Sequence, residues 1–592
     1  MQEYQRLISQ AIIHITAIFS TFWIAGALIA CLTDERGALG PDLSGILIFY
    51  KWHLWIYTTY QTIDFFTYIK GYGYLKLEIL GISLSSFVGY GTLMYYYWDR
   101  ISEVNFFTPG EKLHGDAHWA TEYDVRRSGL RSKSGVLLGV DKRGYYVNEG
   151  FQHILLFAPT GAGKGVGFVI PNLLFWEHSI VVHDIKLENY DLTSGWRASQ
   201  GQEVFVWEPA NPDGISHCYN PLDWVSNKPG QMVDDVQKIA NLILPKQDFW
   251  ENEARSLFLG LILYLIADPN KTTSFGEAVR TMRNDDYVYN FAVVMDTMGK
   301  DMHPVGYMNL SAFLQKPDKE RGSVASTLNS AVELWANPLI DATTARSDFN
   351  ILDFKKKKTT VYVGLTPDNI QRLQKLMQIF YQQATEFLCR KMPDLKNEPY
   401  GVMFLMDEFP TLGKMDQFKA GIAYFRGYRV RLFLIVQDTQ QLKGTYEDAG
   451  MNSFLSNSTF RITYAANNYE TAQLISQLCG NKTVEQSSVS KKMLDMPTEQ
   501  SVSLSSASRA LLLPQEVMLL PRDEQIVLIE SFPPIKSKKI FYYKDKFFTA
   551  RLIKPVFVPT QAPYDPRVVK DELPDDAEAE ASVNEELEAQ TA

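Results

Sequence analysis

The feature that most constrains the fold of this chain is an apolar stretch that ends in a glycine-rich turn and a lysine. Residues 153–165 read HILLFAPTGAGKG. A strand that stops at such a turn and continues as a helix leaves several backbone N–H groups converging on one concave site, and the helix dipole adds partial positive charge. The pattern therefore predicts a phosphate-binding loop in which Lys164 reaches the β- and γ-phosphates of a nucleotide.

The loop departs from the usual G-x-x-x-x-G-K-[ST] pattern at two positions. Ala158 replaces the first glycine, and Gly165 replaces the hydroxyl residue that ordinarily ligates magnesium. A bound metal ion would therefore have to use another side chain. The alternative interpretation is a glycine-rich turn that binds nothing. The predicted nucleotide-binding residues are Thr160, Gly161, Ala162, Gly163, Lys164 and Gly165.

A second apolar run ends directly in two carboxylates. Residues 402–406 read VMFLM, and Asp407 and Glu408 follow them. Because parallel strands present their carboxyl ends to ligands, these acids are predicted to lie beside the phosphate-binding loop. Asp407 would hold magnesium through water, and Glu408 would polarise the attacking water. The alternative is an acidic turn after a core strand.

A third apolar strand, 430–436, ends in Gln437, and a basic segment precedes it. A glutamine at this place can hydrogen-bond the γ-phosphate or its water, although a solvated strand end is the alternative. The basic segment RGYRVR contains Arg426, Arg429 and Arg431. One of them could reach a neighbouring subunit's phosphate as an arginine finger, or all three could belong to an ordinary basic helix end.

Strands that alternate with helices predict an α/β fold with a parallel, doubly wound sheet. The predicted core strands are Ile154–Phe157, Ile180–His183, Val204–Trp207, Thr360–Gly364, Val402–Met406, Arg431–Val436 and Phe460–Tyr464. Helical periodicity within 233–346 predicts an inserted all-α domain. Pro171 predicts a kink or an early break in the helix that follows the loop.

Two charge-free stretches, about 12–32 and 79–98, predict two transmembrane helices. The segment between them would then be extracytoplasmic, and the nucleotide-binding body cytosolic. The predicted domains are 1–100, a membrane domain; 101–232, a connector and the first part of the nucleotide-binding domain; 233–346, all-α; 347–560, the second part of the nucleotide-binding domain; and 561–592, an acidic tail expected to be disordered.

Charge gives little support for nucleic-acid binding over the chain as a whole. The net charge is −10, and the tail after Lys570 has nine acidic and no basic residues, so the body is close to neutral. Residues 483–508 contain eight serines and few large apolar groups. This composition predicts a loop.

Six segments, spread from about residue 110 to 545, resemble the type IV secretion coupling proteins, the TraG/TraD-like ATPases of conjugation and effector export. They are HGDAHWA (114–120), APTGAGKGVGFVIPNLL (158–174), VVHDIKLENY (181–190), LMDEFPTLGK (405–414), GYRVRLFLIVQDTQQL (427–442) and LLLPQEVMLLPRDEQIVL (511–528). A glycine at the place of Gly165 also occurs in this branch of the family.

The resemblance implies a RecA-like motor that forms a homo-hexamer and uses ATP and Mg²⁺. It assigns phosphate contact to Lys164, the second nucleotide motif to Asp407 and Glu408, a sensing role to Gln437, and a trans-acting role to Arg426. Asp184 and Lys186 lie in the family's D-I-K segment, and the resemblance gives them no defined role.

The same resemblance implies an ATP-dependent coupling protein of the bacterial inner membrane, multi-pass, with a cytoplasmic ATPase body. Its partners would be the type IV secretion channel, DNA–relaxase complexes or protein effectors, and their adaptors. One alternative is a non-hydrolysing docking platform that binds nucleotide, which Gly165 favours. Another is an FtsK-like DNA translocase, which would need a DNA-reading module near the C-terminus, where the sequence has an acidic tail.

Overall fold

The computed structural model of the chain describes residues 2–32, 50, 78, 81–92, 114–490 and 501–562. These residues divide into two compact units. The larger unit comprises Ala117–Trp119, Gly129–Asn481 and Arg509–Ala592, and the smaller comprises Met1–Asp116, Ala120–Ser128 and Lys482–Ser508. All the predicted site residues lie in the larger unit.

An eleven-stranded mixed sheet forms the centre of the larger unit. Its strands are β1 (Val136–Asp141), β2 (Gly144–Asn148), β3 (Ile154–Phe157), β4 (Ser179–Asp184), β5 (Glu203–Trp207), β6 (Thr359–Gly364), β7 (Val402–Met406), β8 (Val430–Val436), β9 (Phe460–Thr463), β12 (Glu524–Ile529) and β13 (Ile535–Lys538). The spatial order is β2-β1-β13-β12-β9-β3-β8-β7-β4-β6-β5.

The strands from β9 to β5 in this order run parallel, and β12, β13, β1 and β2 extend the sheet antiparallel. Every residue of β3, β4, β7 and β8 is buried. This burial explains their nearly continuous apolar sequences, because helices cover both faces of a parallel sheet. The prediction of an α/β fold is confirmed, and β3 to β9 begin and end within one residue of the predicted strands.

The helices of the larger unit alternate with these strands. In chain order after α1 (Gln2–Leu32), α2 (81–92) and α3 (Glu122–Arg127) of the smaller unit, they are α4 (Ile170–Phe175), α5 (Glu188–Ser199), α6 (Pro229–Ile243), α7 (Phe249–Ala267), α8 (Phe275–Met282), α9 (Tyr287–Met298), α10 (Pro304–Leu314), α11 (Asp318–Ala331), α12 (Pro338–Thr344), α13 (Ile370–Leu388), α14 (Asp416–Phe425), α15 (Thr439–Asn457), α16 (Tyr469–Cys479), α17 (Pro514–Met518) and α18 (Lys546–Thr549).

Between β5 and β6, a stretch that the structure describes throughout, the chain forms helices and no strand. Its core includes Phe275 stacked on Trp335, with ring centroids 4.0 Å apart. These helices belong to the same compact unit as the sheet. Their treatment as a separate domain, like the other domain boundaries, stays a prediction.

The helix after the phosphate-binding loop starts with a π-helical turn, Gly165–Val169, before α4. The N–H of Ile170 donates to the carbonyl of Gly165, five residues earlier. Pro171 has no N–H to continue an ordinary helical pattern, and it lies directly after this turn. The proline therefore coincides with an irregular helix start, and the helix ends soon afterwards at Phe175.

The smaller unit contains α1, α2, α3 and most of a two-stranded sheet. The two strands are β10 (Asn481–Ser490) and β11 (Ser501–Ala510), and they pair with each other. The serine-rich segment was predicted as a loop, and that prediction is wrong for its described residues. Serine is weak as a strand former, so its composition did not reveal the pairing between the two segments.

The predicted transmembrane helices and the multi-pass inner-membrane location are not supported by the structure. Among the described residues, no helix is both long and apolar enough to cross a bilayer. The predicted first span, 12–32, lies within α1. Of the second span, 79–98, the structure describes a helix over 81–92 only. Most of the segment between the predicted spans, and the tail from 563, lie outside the described residues.

Candidate functional site

The glycine-rich loop joins β3 to the π-helical turn at the carboxyl edge of the parallel strands. Gly161 and Gly163 have φ of 77° and 80°, a backbone region that a side chain strains. Hydrogen bonds between residues close in sequence fold the loop. Ala162 N donates to Pro159 O at 3.1 Å, and Gly167 N donates to Gly163 O at 2.8 Å. The loop is therefore a compact turn at the start of a helix, which is the backbone arrangement that anions favour.

Lys164 lies against both predicted acids. Its Nζ is 2.7 Å from Asp407 Oδ1 and 3.0 Å from Glu408 Oε1. The contact with Glu408 is a directed hydrogen bond, whereas Asp407 Oδ1 is buried and has no hydrogen bond of good geometry, so that contact is an ion pair. The structure thus brings together three residues that the sequence places in two separate motifs.

Burial and charge together set the protonation of this cluster. Burial lowers the pKa of Lys164, but the charges of Asp407 and Glu408 and the hydrogen bond to Glu408 outweigh it, and the net pKa lies above the ordinary value. Burial raises the pKa of Asp407, and Lys164 only partly offsets this. The two acids thus favour the charged form of Lys164, and Lys164 in turn favours the ionised form of Asp407 against the effect of burial.

A fixed turn presents Glu408. Its φ is 53°, a left-handed conformation rarely adopted by a residue other than glycine. The next residue, Phe409, is fully buried and stacks on Phe418 and Tyr446 with centroids 5.9 and 5.5 Å apart. Thr411 donates to the carbonyl of Glu408 through both its N–H and its hydroxyl. Aromatic packing and these bonds hold the carboxylate at the strand end.

Asp184 ends β4, the strand next to β7, so it lies beside Asp407. It is fully buried and accepts hydrogen bonds from the backbone and side chain of Asn189 and from the N–H of Tyr190. Burial nevertheless raises the pKa of Asp184 to about 7, and the charge of Asp407 adds to the effect. Two buried carboxyl groups thus lie on adjacent strand ends, and the sequence had given Asp184 no role.

Gln437 lies at the carboxyl end of β8, and the three arginines lie at or near its amino end. Gln437 follows β8 at the edge of the loop, where Val436 pairs with Phe157 and its carbonyl accepts from Ala158 N at 2.9 Å. Arg426 is exposed and precedes β8, so it lies at the amino end of that strand, opposite to the phosphate-binding loop. Arg431 is fully buried, so it cannot reach another subunit.

Arg431 is fully buried and Arg429 is half-buried, and both contact groups of the same unit. The guanidinium of Arg429 lies 5.1 Å from the ring centroid of Phe151. That of Arg431 donates to Asn148 Oδ1 at 2.8 Å and to the carbonyl of Gly150. Of the three arginines, Arg426 is therefore the most exposed.

The residues present fit a magnesium ion that is shared with a nucleotide. Magnesium prefers a few carboxylate oxygens together with phosphate and water oxygens. Asp407 Oδ1, buried and without a directed hydrogen bond, offers one such oxygen. Gly165 offers none, and the oxygens of Asp184 already accept N–H groups. Among the described residues no group of three or more potential metal ligands is gathered.

A second lysine touches the phosphate-binding loop, and the sequence gave no sign of it. Lys539 follows β13 directly, and its Nζ donates to the carbonyl of Ala162 at 3.0 Å. The same ammonium lies 3.5 Å from the ring centroid of Tyr464. Lys539 belongs to the basic run KSKK, in which nothing in the sequence separates a buried lysine from its exposed neighbours.

The fold is an α/β architecture built on a mainly parallel sheet, and solved coupling proteins share it. The bacterial conjugative coupling protein TrwBdeltaN70, in a trigonal form with sulphate, matches with a TM-score of 0.56 and 15% identity, over 76% of this chain and 99% of that one. The plasmid coupling protein TrwB in complex with ADP and Mg²⁺ matches with a TM-score of 0.54 and 15% identity, over 75% of this chain and 99% of that one.

Sequence comparison gives the family. The family model described as type IV secretory system conjugative DNA transfer matches residues 118–564. Protein VirD4 of Rhizobium radiobacter is 34% identical over 451 residues, which are 74% of this chain and 65% of that protein. The conjugal transfer protein TraG of Escherichia coli is 29% identical over 539 residues, 81% of this chain and 84% of that protein. The chain belongs to the type IV secretory system conjugative DNA transfer family.

Proposed function

We propose that the chain is an ATP-driven coupling protein that recruits substrates and delivers them to a type IV secretion system. The observation that carries the proposal is the contact of Lys164 with Asp407 and Glu408 in a chain of this family. Related solved structures contain ADP with Mg²⁺ or a non-hydrolysable ATP analogue, which supports ATP and Mg²⁺ here. The substrates would be DNA–relaxase complexes or protein effectors, presented by adaptors.

Hydrolysis would begin with an exchange of partners at Lys164. The incoming phosphates compete with Asp407 and Glu408 for the ammonium, since all three are anionic. Mg²⁺ bound with the nucleotide would neutralise charge on the phosphates. Once Lys164 turns to the nucleotide, Asp407 is free for the metal and Glu408 is free to accept a proton from the attacking water. Gln437, at the same edge, would sense the γ-phosphate or its water.

The proposed role of Arg426 requires a neighbouring subunit. Arg426 and the phosphate-binding loop lie at opposite ends of β8, which is seven residues long. At about 3.3 Å per residue the strand spans roughly 20 Å, which exceeds the reach of one side chain. An exposed arginine that cannot reach its own nucleotide fits a finger that acts in trans, as a homo-hexamer would allow.

A non-hydrolysing docking platform is the second candidate, and Gly165 is the observation that favours it. The residue supplies no hydroxyl to the metal. Such a platform would bind nucleotide and would not hydrolyse it.

The leading proposal also includes the division into two nucleotide-binding segments and an all-α domain. In it, the helices between β5 and β6 form the surface that recruits substrates.

The test is phosphate release from ATP by the purified full-length chain, measured over a range of protein concentrations, with and without single-stranded DNA. A rate per subunit that rises with concentration and disappears in Lys164→Ala supports a motor with shared sites. Stimulation by DNA favours a nucleic-acid substrate. Nucleotide binding without turnover at any concentration favours the docking platform.

A further inference from the structure

Lys539 is a buried lysine that contacts the phosphate-binding loop and forms no ion pair with the residues that the structure describes. The residue is 5% exposed. Among the described residues, none of the ion pairs involves Lys539, and its ammonium contacts the Ala162 carbonyl and the Tyr464 ring. A buried charge without a counter-charge is costly, and such groups commonly mark functional sites.

The surroundings of Lys539 hold it against the loop. Tyr464 follows β9 and its N–H donates to the carbonyl of Phe157, the last residue of β3 before the loop. A β-carbon placed on Gly167 would lie 3.2 Å from the hydroxyl of Tyr464 and 3.5 Å from the β-carbon of Lys539. The lysine stem thus packs beside the π-helical turn, and the aromatic ring supports the ammonium from one face.

We propose that Lys539 is a second cation of the nucleotide site, which positions the loop through Ala162 and whose charge is balanced by the phosphates of bound nucleotide. The inference rests on the proposed nucleotide binding and adds a residue to that site. The phosphates would place negative charge beside the Lys539 ammonium. Lys539 is a positioning residue, because its observed contact is with the loop.

The charge state of Lys539 gives a readout that a purely structural role would not move. Burial lowers the pKa of Lys539 to about 8, and the charge of Asp523 opposes this only in part. Asp523 and Tyr464 are titratable residues beside Lys539, and burial raises the pKa of Tyr464 well above its ordinary value. Bound phosphates would raise the pKa of Lys539 again, so binding near pH 8 should take up a proton at this residue.

The experiment is calorimetric titration of the full-length chain with ADP and Mg²⁺ at pH 8, in two buffers that differ in ionisation enthalpy. The wild type should take up a fraction of a proton that Lys539→Met lacks, and Lys539→Met should bind roughly tenfold or more weakly. Lys539→Arg should keep most of the affinity but lose the proton uptake, because arginine stays charged at this pH. Lys536→Met, at an exposed lysine of β13 that pairs with Glu524, is the matched control and should behave like the wild type.

Lys539→Arg keeps the test decisive if Lys539→Met fails to fold. Wild-type binding that disappears in Lys164→Ala, together with unchanged affinity and proton uptake in Lys539→Met, or unchanged proton uptake in Lys539→Arg, overturns the role of Lys539 alone. Absence of ADP binding by the wild type overturns the proposed nucleotide site and the inference with it.

Discussion

Lys164 and Glu408 are 244 residues apart in the chain, and the ammonium of the first donates to Oε1 of the second at 3.0 Å. Asp407 completes the cluster at 2.7 Å. The two carboxylates thus contact the ammonium that the phosphates of a nucleotide would need. Nucleotide binding and release of the carboxylates are therefore one event in this account.

The cluster should show coupling in stability. Lys164→Met leaves two partly buried carboxylates without their cation, so we expect the free energy of unfolding to fall by about 1–3 kcal/mol. The double variant Lys164→Met/Asp407→Asn should lose less than the sum of the single variants, because the second change removes the unpaired charge. Urea unfolding at pH 7 measures all four proteins. Additive losses would show that the ion pair does not stabilise the fold.

The loop glycines should respond differently to alanine. Gly163 has φ of 80°, so Gly163→Ala strains the backbone by about 1–2 kcal/mol and should weaken nucleotide binding. Gly165 has no positive φ, and a β-carbon there would meet no atom within 4 Å. Gly165→Ala should therefore bind ADP like the wild type, and it is the matched control. Equal losses at both positions would contradict the loop geometry.

The space at Gly165 also permits a gain of function. Gly165→Ser would restore the hydroxyl of the usual motif without a clash. We expect it to lower the Mg²⁺ concentration needed for half-maximal ADP binding, by roughly tenfold at most if the hydroxyl reaches the ion. Titration with Mg²⁺ at fixed ADP measures the change. An unchanged or higher Mg²⁺ requirement would place the ion away from this residue.

Arg426→Ala should retain folding and nucleotide binding but lose turnover, since the side chain is exposed and distant from its own loop. A mixture of Arg426→Ala and Lys164→Ala subunits should recover activity that neither variant has alone, because each can complete the other's site. Arg127→Ala, an exposed arginine of the smaller unit, is the control. No recovery in the mixture, under conditions where subunits exchange, would argue against a finger in trans.

Asp184 should make stability depend on pH with a defined sign. The pKa of Asp184 in the folded chain is about 7, above the ordinary aspartate value of 3.8. The folded state therefore binds the proton more tightly than the unfolded state. This contribution to stability is therefore present at low pH and is lost as the pH rises from about 4 to about 7.

The comparison of wild type with Asp184→Asn isolates that contribution from the buried histidines, whose lowered pKa values act in the opposite direction. The wild type should exceed the variant in free energy of unfolding by more at pH 5 than at pH 8, as chemical unfolding would report. The same difference at both pH values would mean that Asp184 is ionised throughout.

The parallel core was predictable because its signals are local. Buried strands such as β7 read as apolar runs, and the residues that follow them, Asp407 and Gln437, come to the same edge by the rule for parallel strands. The glycine-rich turn identified Lys164 in the same way. The contact between Lys164 and Glu408 follows from these two facts together.

Features that depend on distant contacts were not predictable. Lys539 meets Ala162 across 377 residues, and a basic run does not reveal which lysine is buried. The pairing of β10 with β11 joins two serine-rich segments whose composition indicates a loop.

The most direct test of the account is phosphate release by the full-length chain in the wild type, Glu408→Gln and Glu149→Gln. Glu149 is exposed and precedes β3, away from the loop, so it controls for the change of charge. We expect the wild type and Glu149→Gln to hydrolyse ATP and Glu408→Gln to lose about a hundredfold or more in rate while still binding ADP. A wild type that hydrolyses ATP and a Glu408→Gln variant of equal rate would contradict the assignment of Glu408, and with it the proposed mechanism.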